Sequence, residues 1–127
     1  MNTVAYSKIR KMSPQLLVAD IEDSIGFYTK KLGFDVDFRY EDFYAGIIKD
    51  GYTIHLKLSK SAVQNEGKRS NEDIDIIFSV DDIEGLYEQL SNISVDFTQP
   101  LREMPYGKEF YVADPDGHII AFLEEPC

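Results

Sequence analysis

Few residues in this 127-residue chain are equipped for chemistry, and that narrows what it does. His55 and His118 are its two histidines, the residue type whose unperturbed charge change falls near neutral pH. The single cysteine, Cys127, is the last residue. With no second cysteine it forms no internal disulfide, and a reducing, cytoplasmic compartment is expected. The sequence has no phosphate-cradling glycine-rich loop, no zinc-protease histidine pair and no Cys-x-x-Cys. Asp114-Pro115-Asp116-Gly117 is turn chemistry, Pro pre-setting one φ and Gly accepting a positive one. It lacks the alternating ligands and closing Glu of a calcium loop. His118, directly after it, is expected at an exposed strand start. The aromatics remain: eight Tyr and eight Phe with no Trp. Phe27, Tyr28, Phe34, Phe78 and Phe122 suit a core. Tyr40, Phe43, Tyr44, Tyr106 and Tyr111 fall on later strands or loops, placed either to stack on a flat or cationic ligand or to pack a sheet surface or dimer interface.

These groups need a scaffold, and the period of the apolar residues describes it. Met12, Pro14, Leu16 and Val18 alternate with Ser13, Gln15 and Ala19, the period of a strand with one face on a core. Asp20 is a good N-cap for a helix carrying Ile21, Ile25, Tyr28 and Leu32 on one face, and Gly33 supplies its stop. Strands are predicted at about 35–40, 43–49 and 52–58, with Lys49-Asp50-Gly51 as a hairpin turn. The pattern then returns. Ile74, Ile76, Phe78 and Val80 alternate, Asp82 caps a helix with Ile83, Leu86, Tyr87 and Leu90, and strands follow at about 94–98, 109–113 and 118–124.

The repetition extends to identity. Val18-Ala19-Asp20-Ile21-Glu22 recurs as Val80-Asp81-Asp82-Ile83-Glu84, 62 residues on; Val36-Asp37-Phe38 recurs as Val95-Asp96-Phe97 after 59; Asp50-Gly51 recurs as Asp116-Gly117 after 66. Three matches in one order indicate two copies of a β-α-β-β-β unit, about 10–58 and 73–125, joined by a polar linker over 61–71. The expected fold class is α+β, one domain of two tandem modules forming a curved mixed sheet around a cavity.

Composition agrees with one soluble domain: 43% hydrophobic and 28% charged residues, with no apolar run long enough for a membrane span. The first eight residues contain no signal-peptide apolar core. Thirteen basic against 23 acidic residues leave a net charge of −10, a surface that repels phosphate backbones and anionic lipid. No nucleic-acid or membrane partner is therefore expected.

Val18-x-Asp20, then Ser24-Ile25-Gly26-Phe27-Tyr28 and Leu32-Gly33-Phe34, resembles the opening signature of the vicinal-oxygen-chelate superfamily. Pro105-Tyr106-Gly107 with Phe110-Tyr111-Val112-x-Asp114-Pro115-Asp116-Gly117-His118-Ile119-Ile120 is similar to its closing signature. That superfamily holds glyoxalase I, extradiol dioxygenases, fosfomycin-modifying enzymes and bleomycin-resistance proteins. The resemblance implies paired modules enclosing a cavity, usually in a homodimer, and in its enzymes a divalent metal held by the first and last strand of each module. Carried over by position, that quartet is Ser13, His55, Asp75 and Ala121. Alanine has no donor and a neutral serine hydroxyl is a poor one, so no metal cofactor is expected.

Without metal, the sharpest catalytic reading is His55 as a general base paired with Asp75; the plainer one makes His55 a polar cavity residue. The expected ligand-binding set is Ser13, Gln15, His55, Lys57, Asp73, Asp75, Tyr106, Tyr111 and Ala121. Asp73 and Asp75 would make one rim negative and favour a cation, which Lys57 partly offsets. The leading expectation is a binder like the bleomycin-resistance proteins, sequestering a small flat ligand without turnover and so conferring antibiotic resistance. The alternatives are a metal-dependent lyase, isomerase or dioxygenase of the same superfamily, and a dimeric scaffold with a vestigial pocket.

Overall fold

The computed structural model describes residues 6–60 and 73–126; the linker expected over 61–71 lies outside the described residues. The first unit runs β1 (Gln15–Val18), α1 (Ile21–Gly26), a π-helical turn (Phe27–Lys31), β2 (Asp35–Tyr40), β3 (Tyr44–Lys49) and β4 (Tyr52–Leu58). The second runs β5 (Ile74–Ser79), α2 (Ile83–Ser91), β6 (Asp96–Met104), β7 (Gly107–Ala113) and β8 (Ile119–Glu124). Each unit is a four-stranded mixed sheet of the same order, β1-β4-β3-β2 and β5-β8-β7-β6, with only the first pair in each parallel. The class is α+β with two modules, as predicted. The sheets are separate and open, however, where one curved sheet around a cavity was expected.

Local chemistry accounts for the element ends. The Asp20 carboxylate accepts from Asp23 N and caps α1; Asp82 does the same for Gly85 N at α2. At the β3–β4 hairpin, Asp50 and Gly51 both take positive φ (53° and 86°), the geometry a two-residue turn needs to match strand twist. The predicted continuous helix instead switches to π geometry at Phe27, which brings the adjacent side chains Phe27 and Tyr28 both inward. β1 begins at Gln15, not Met12, because Met12 is 86% exposed and has no core to face. β6 is longer than predicted and carries two register shifts, which accommodate Pro100 on an edge strand.

One hydrophobic core serves both modules. Leu16, Val18, Tyr28, Ile47, Ile54 and Leu56 from the first join Ile83, Leu90, Phe110, Val112, Ile120 and Phe122 from the second. Phe34 meets Phe78 across the seam at a centroid distance of 5.9 Å. The modules thus share a core on their helix-bearing sides, and period-2 alternation turns the other face of each sheet away from it. No helix among the described residues is long and apolar enough to cross a membrane.

Candidate functional site

The outer face of the first sheet holds a cluster of rings. Ile54 and Leu56 of β4 face the core, so Thr53, His55 and Lys57 face outward. His55 lies beside Gln15 of β1 and Gly46 of β3. Gly46 is the seat of the cluster: Phe38 of β2 lies opposite it, and a Cβ there would fall 2.2 Å from Phe38 Cε2. Only a glycine lets that ring lie across the sheet. Phe38 then contacts His55 edge-on at 5.2 Å, Tyr44 stacked at 6.0 Å and Tyr40 at 5.6 Å. The Tyr44 hydroxyl is 2.7 Å from His55 Nδ1 and 3.3 Å from Gln15 Oε1. Its single proton sets the tautomer. If it goes to Gln15, Nδ1–H donates to Tyr44 and Nε2 is a bare acceptor; if it goes to Nδ1, Nε2–H is a donor. Either way His55 Nε2 is buried with no hydrogen-bond partner among the described residues.

The second sheet's outer face differs. Ala121 of β8 lies between Ile77 of β5 and Tyr111 of β7, in a small apolar cluster with Ile119. Beside it Arg102 of β6 donates through Nε (2.8 Å) and Nη2 (2.6 Å) to Glu109 Oε2, with its guanidinium 5.9 Å from the Tyr111 ring centroid. Glu109 is 5% exposed, so its charge is neutralised in place. Burial, then the Glu109 charge, raises the Tyr111 hydroxyl above its ordinary pKa.

The structure does not join His55 to Asp75. A bulge between Ile74 and Ile76 puts Ile74, not Asp75, opposite Ile119. The Asp75 carboxylate accepts from Ile119 N at 2.9 Å and lies 3.8 Å from His118 Nδ1. His118, expected exposed, is instead a bridge between modules: its side chain is 14% exposed and Nε2–H donates to Leu17 O at 2.8 Å. A carbonyl only accepts, so Nε2 carries the proton.

Other expected site residues are spread out. The Ser13 hydroxyl bonds the Thr53 hydroxyl, Lys57 and Asp73 are exposed, and Tyr106 is half-exposed in the β6–β7 turn. As a ligand set for a divalent metal, Ser13, His55, Asp75 and Ala121 fit poorly: Ala121 has no donor atom, and Asp75 and His55 bond different partners. Asp114, Asp116 and His118 do bring ligand atoms within 4.8 Å of one another. The two carboxylates are already engaged: Asp114 accepts from Tyr28 Oη (2.8 Å) and the amides of Asp116 and His118 (2.9 Å each), and Asp116 from Ala19 N (2.8 Å) and Ser24 Oγ (3.3 Å), while His118 Nδ1 has no hydrogen-bond partner among the described residues. The Asp-Pro-Asp-Gly-His run is therefore a clamp from the β7–β8 turn onto α1 and β1.

Sequence reasoning missed Phe38, Gly46, Arg102 and Glu109. Gly46 did carry a signal, since an isolated glycine inside a strand marks a close approach. Nothing local marks Arg102 and Glu109 as a pair.

Two β-α-β-β-β units with sheets of identical strand order define the two-module fold class, and such a fold does not by itself fix a function. The chain belongs to the Glyoxalase/Bleomycin resistance protein/Dioxygenase superfamily, whose sequence profile matches residues 10–122. It is 28% identical over 129 aligned positions to a bleomycin resistance protein of Geobacillus stearothermophilus, covering 88% of this chain and 94% of that one. Solved structures share the fold, two of which follow. TioX from Micromonospora sp. ML1 has a TM-score of 0.76 at 17% identity, covering 91% of this chain and 98% of its own. The bleomycin-binding protein of bleomycin-producing Streptomyces verticillus, complexed with copper(II)-bleomycin, has a TM-score of 0.72 at 23% identity, covering 95% of this chain and all (100%) of its own.

Proposed function

We propose that this chain binds a small planar molecule on the outer face of the first sheet and releases it unchanged, with no metal of its own. The carrying observation is His55 Nε2, a buried polar atom without a hydrogen-bond partner among the described residues, at the edge of the Phe38–Tyr40–Tyr44 rings. Buried polar atoms are nearly always satisfied, so an empty position beside an aromatic surface reads as the place of a ligand's hydrogen-bonding group. Ring contacts of about 0.5–1.5 kcal/mol each, plus apolar burial, reach the roughly 8 kcal/mol of micromolar binding. The similarity to a bleomycin resistance protein supports bleomycin as the first probe, with drug resistance by sequestration in the cytoplasm as the biological reading. A second copy, in a homodimer, covers the open sheet faces. Planarity, not positive charge, is the expected selector, because Asp75 is bonded to Ile119 N and Glu109 to Arg102.

Calorimetric titration with metal-free bleomycin and single-ring heteroaromatics, on wild type and His55→Ala and Phe38→Ala, tests this. Binding near micromolar that both substitutions weaken, with the ligand recovered intact, supports the reading. Unchanged affinity in both variants, or a consumed ligand, overturns it.

A further inference from the structure

A cleft lies on the opposite, helix-bearing side, at the seam between the modules. Leu32 and Phe34 close it from the first unit; Phe78, Val80, Leu86 and Phe122 close it from the second. Its volume is about 150 Å³. It is apolar in its depth and open at a rim of Lys49, Asp50, Tyr52 and Ser79, and a space of about that size has room for one benzene-sized ring. Three of its walls are phenyl rings, with Phe78 5.9 Å from Phe34 and 5.7 Å from Phe122, so an edge-on or offset ring finds partners on both modules.

The mouth is polar and asymmetric. The β3–β4 hairpin contributes Lys49 and Asp50, whose charged atoms are 3.6 Å apart. The Lys49 side chain is 46% exposed and arches over the Leu32–Phe34 wall, its Nζ 3.7 Å from where a Gly33 Cβ would stand. The Asp50 side chain is 78% exposed and points to solvent. Both charged groups stand at the mouth, with the ammonium lying over Gly33 between Leu32 and Phe34. An exposed Lys–Asp pair at that distance is held weakly, so Lys49 is free to turn to a ligand anion.

We propose that the seam cavity binds a monocyclic aromatic carboxylate, ring inside and carboxylate on Lys49, independently of the first-sheet site. Binding there ties the two modules together and raises thermal stability by mass action.

The test is titration of protein labelled at its methyl groups and histidine rings with benzoate, benzamide and benzylamine, followed by NMR. Benzoate is expected to give saturable shifts of the Leu32, Val80 and Leu86 methyls with a dissociation constant at or below about 1 mM, leaving the His55 ring unmoved. Lys49→Gln, a surface change that leaves the fold intact, should weaken benzoate at least about threefold and leave benzamide unchanged. The proposal is overturned by no saturable shift up to about 10 mM, by shifts confined to His55, by benzylamine binding more tightly than benzoate, or by equal effects of Lys49→Gln on benzoate and benzamide. Because the readout is at seam methyls, its failure leaves the first-sheet reading standing, and the reverse holds too.

Discussion

Tyr28→Phe removes one oxygen and tests the clamp that holds the modules together. Tyr28 is fully buried, and its hydroxyl donates at 2.8 Å to Asp114, itself 6% exposed. The ring stays, so no large cavity opens, and the loss is that of a hydrogen bond to a buried charged group, about 1.5–3 kcal/mol. For a chain of this length that is a fall of roughly 5–10 °C in Tm. Burial raises the Asp114 carboxyl above its ordinary pKa, and the neighbouring His118, then the bonds from Tyr28 and the turn amides, oppose the rise. A carboxyl raised on folding binds its proton more tightly in the folded chain. Its contribution is thus fully present below the unfolded value, near 3.9, and lost as pH rises through the folded one. Removing the Tyr28 donor raises Asp114 further, so the deficit of Tyr28→Phe is largest above the folded pKa and shrinks as pH falls through it. Urea denaturation of wild type, Tyr28→Phe, Asp114→Asn and the double variant at several pH values measures this. A coupling of about 1–2 kcal/mol near pH 7 is expected. A coupling below about 0.5 kcal/mol, or a deficit that grows on acidification, refutes the argument.

Gly46→Ala should displace the Phe38 ring, costing about 1–3 kcal/mol in denaturation and weakening planar ligands in the same titration that tests His55. Arg102→Ala strands the buried Glu109 carboxylate, so its Tm should fall more than that of Lys108→Ala, which breaks only the exposed pair with Glu84. Metal analysis of the purified protein should find well below one Zn, Ni, Mn or Fe per chain. About one ion per chain, removable by His55→Ala, would replace the binder with an enzyme. Sedimentation should show a homodimer.

What the sequence by itself determined here is everything that depends on near neighbours in the chain. The Val18 and Val80 repeats, the alternation through Leu16 and Ile76, the Asp20 and Asp82 caps and the Asp50-Gly51 turn rest on backbone preferences and on one core face per element, so they are legible at a period of 2 or 3.6. What only the tertiary structure decided are the pairings that span strands. Asp75 reads in the sequence as Ser13's counterpart, but one extra residue in β5 slips the ladder and gives its carboxylate to Ile119 N and the neighbourhood of His118. A bulge of that kind costs nothing the alternation of Ile74 and Ile76 can show. Phe38 meets His55 because β2, β3 and β4 are neighbours in register across Gly46, and Arg102 meets Glu109 across a twice-shifted edge. His118 became a bridge because the β7–β8 turn docks on β1, a chain distance of 101 residues. Such contacts are set by how two sheets share one core, and no spacing within either copy records it.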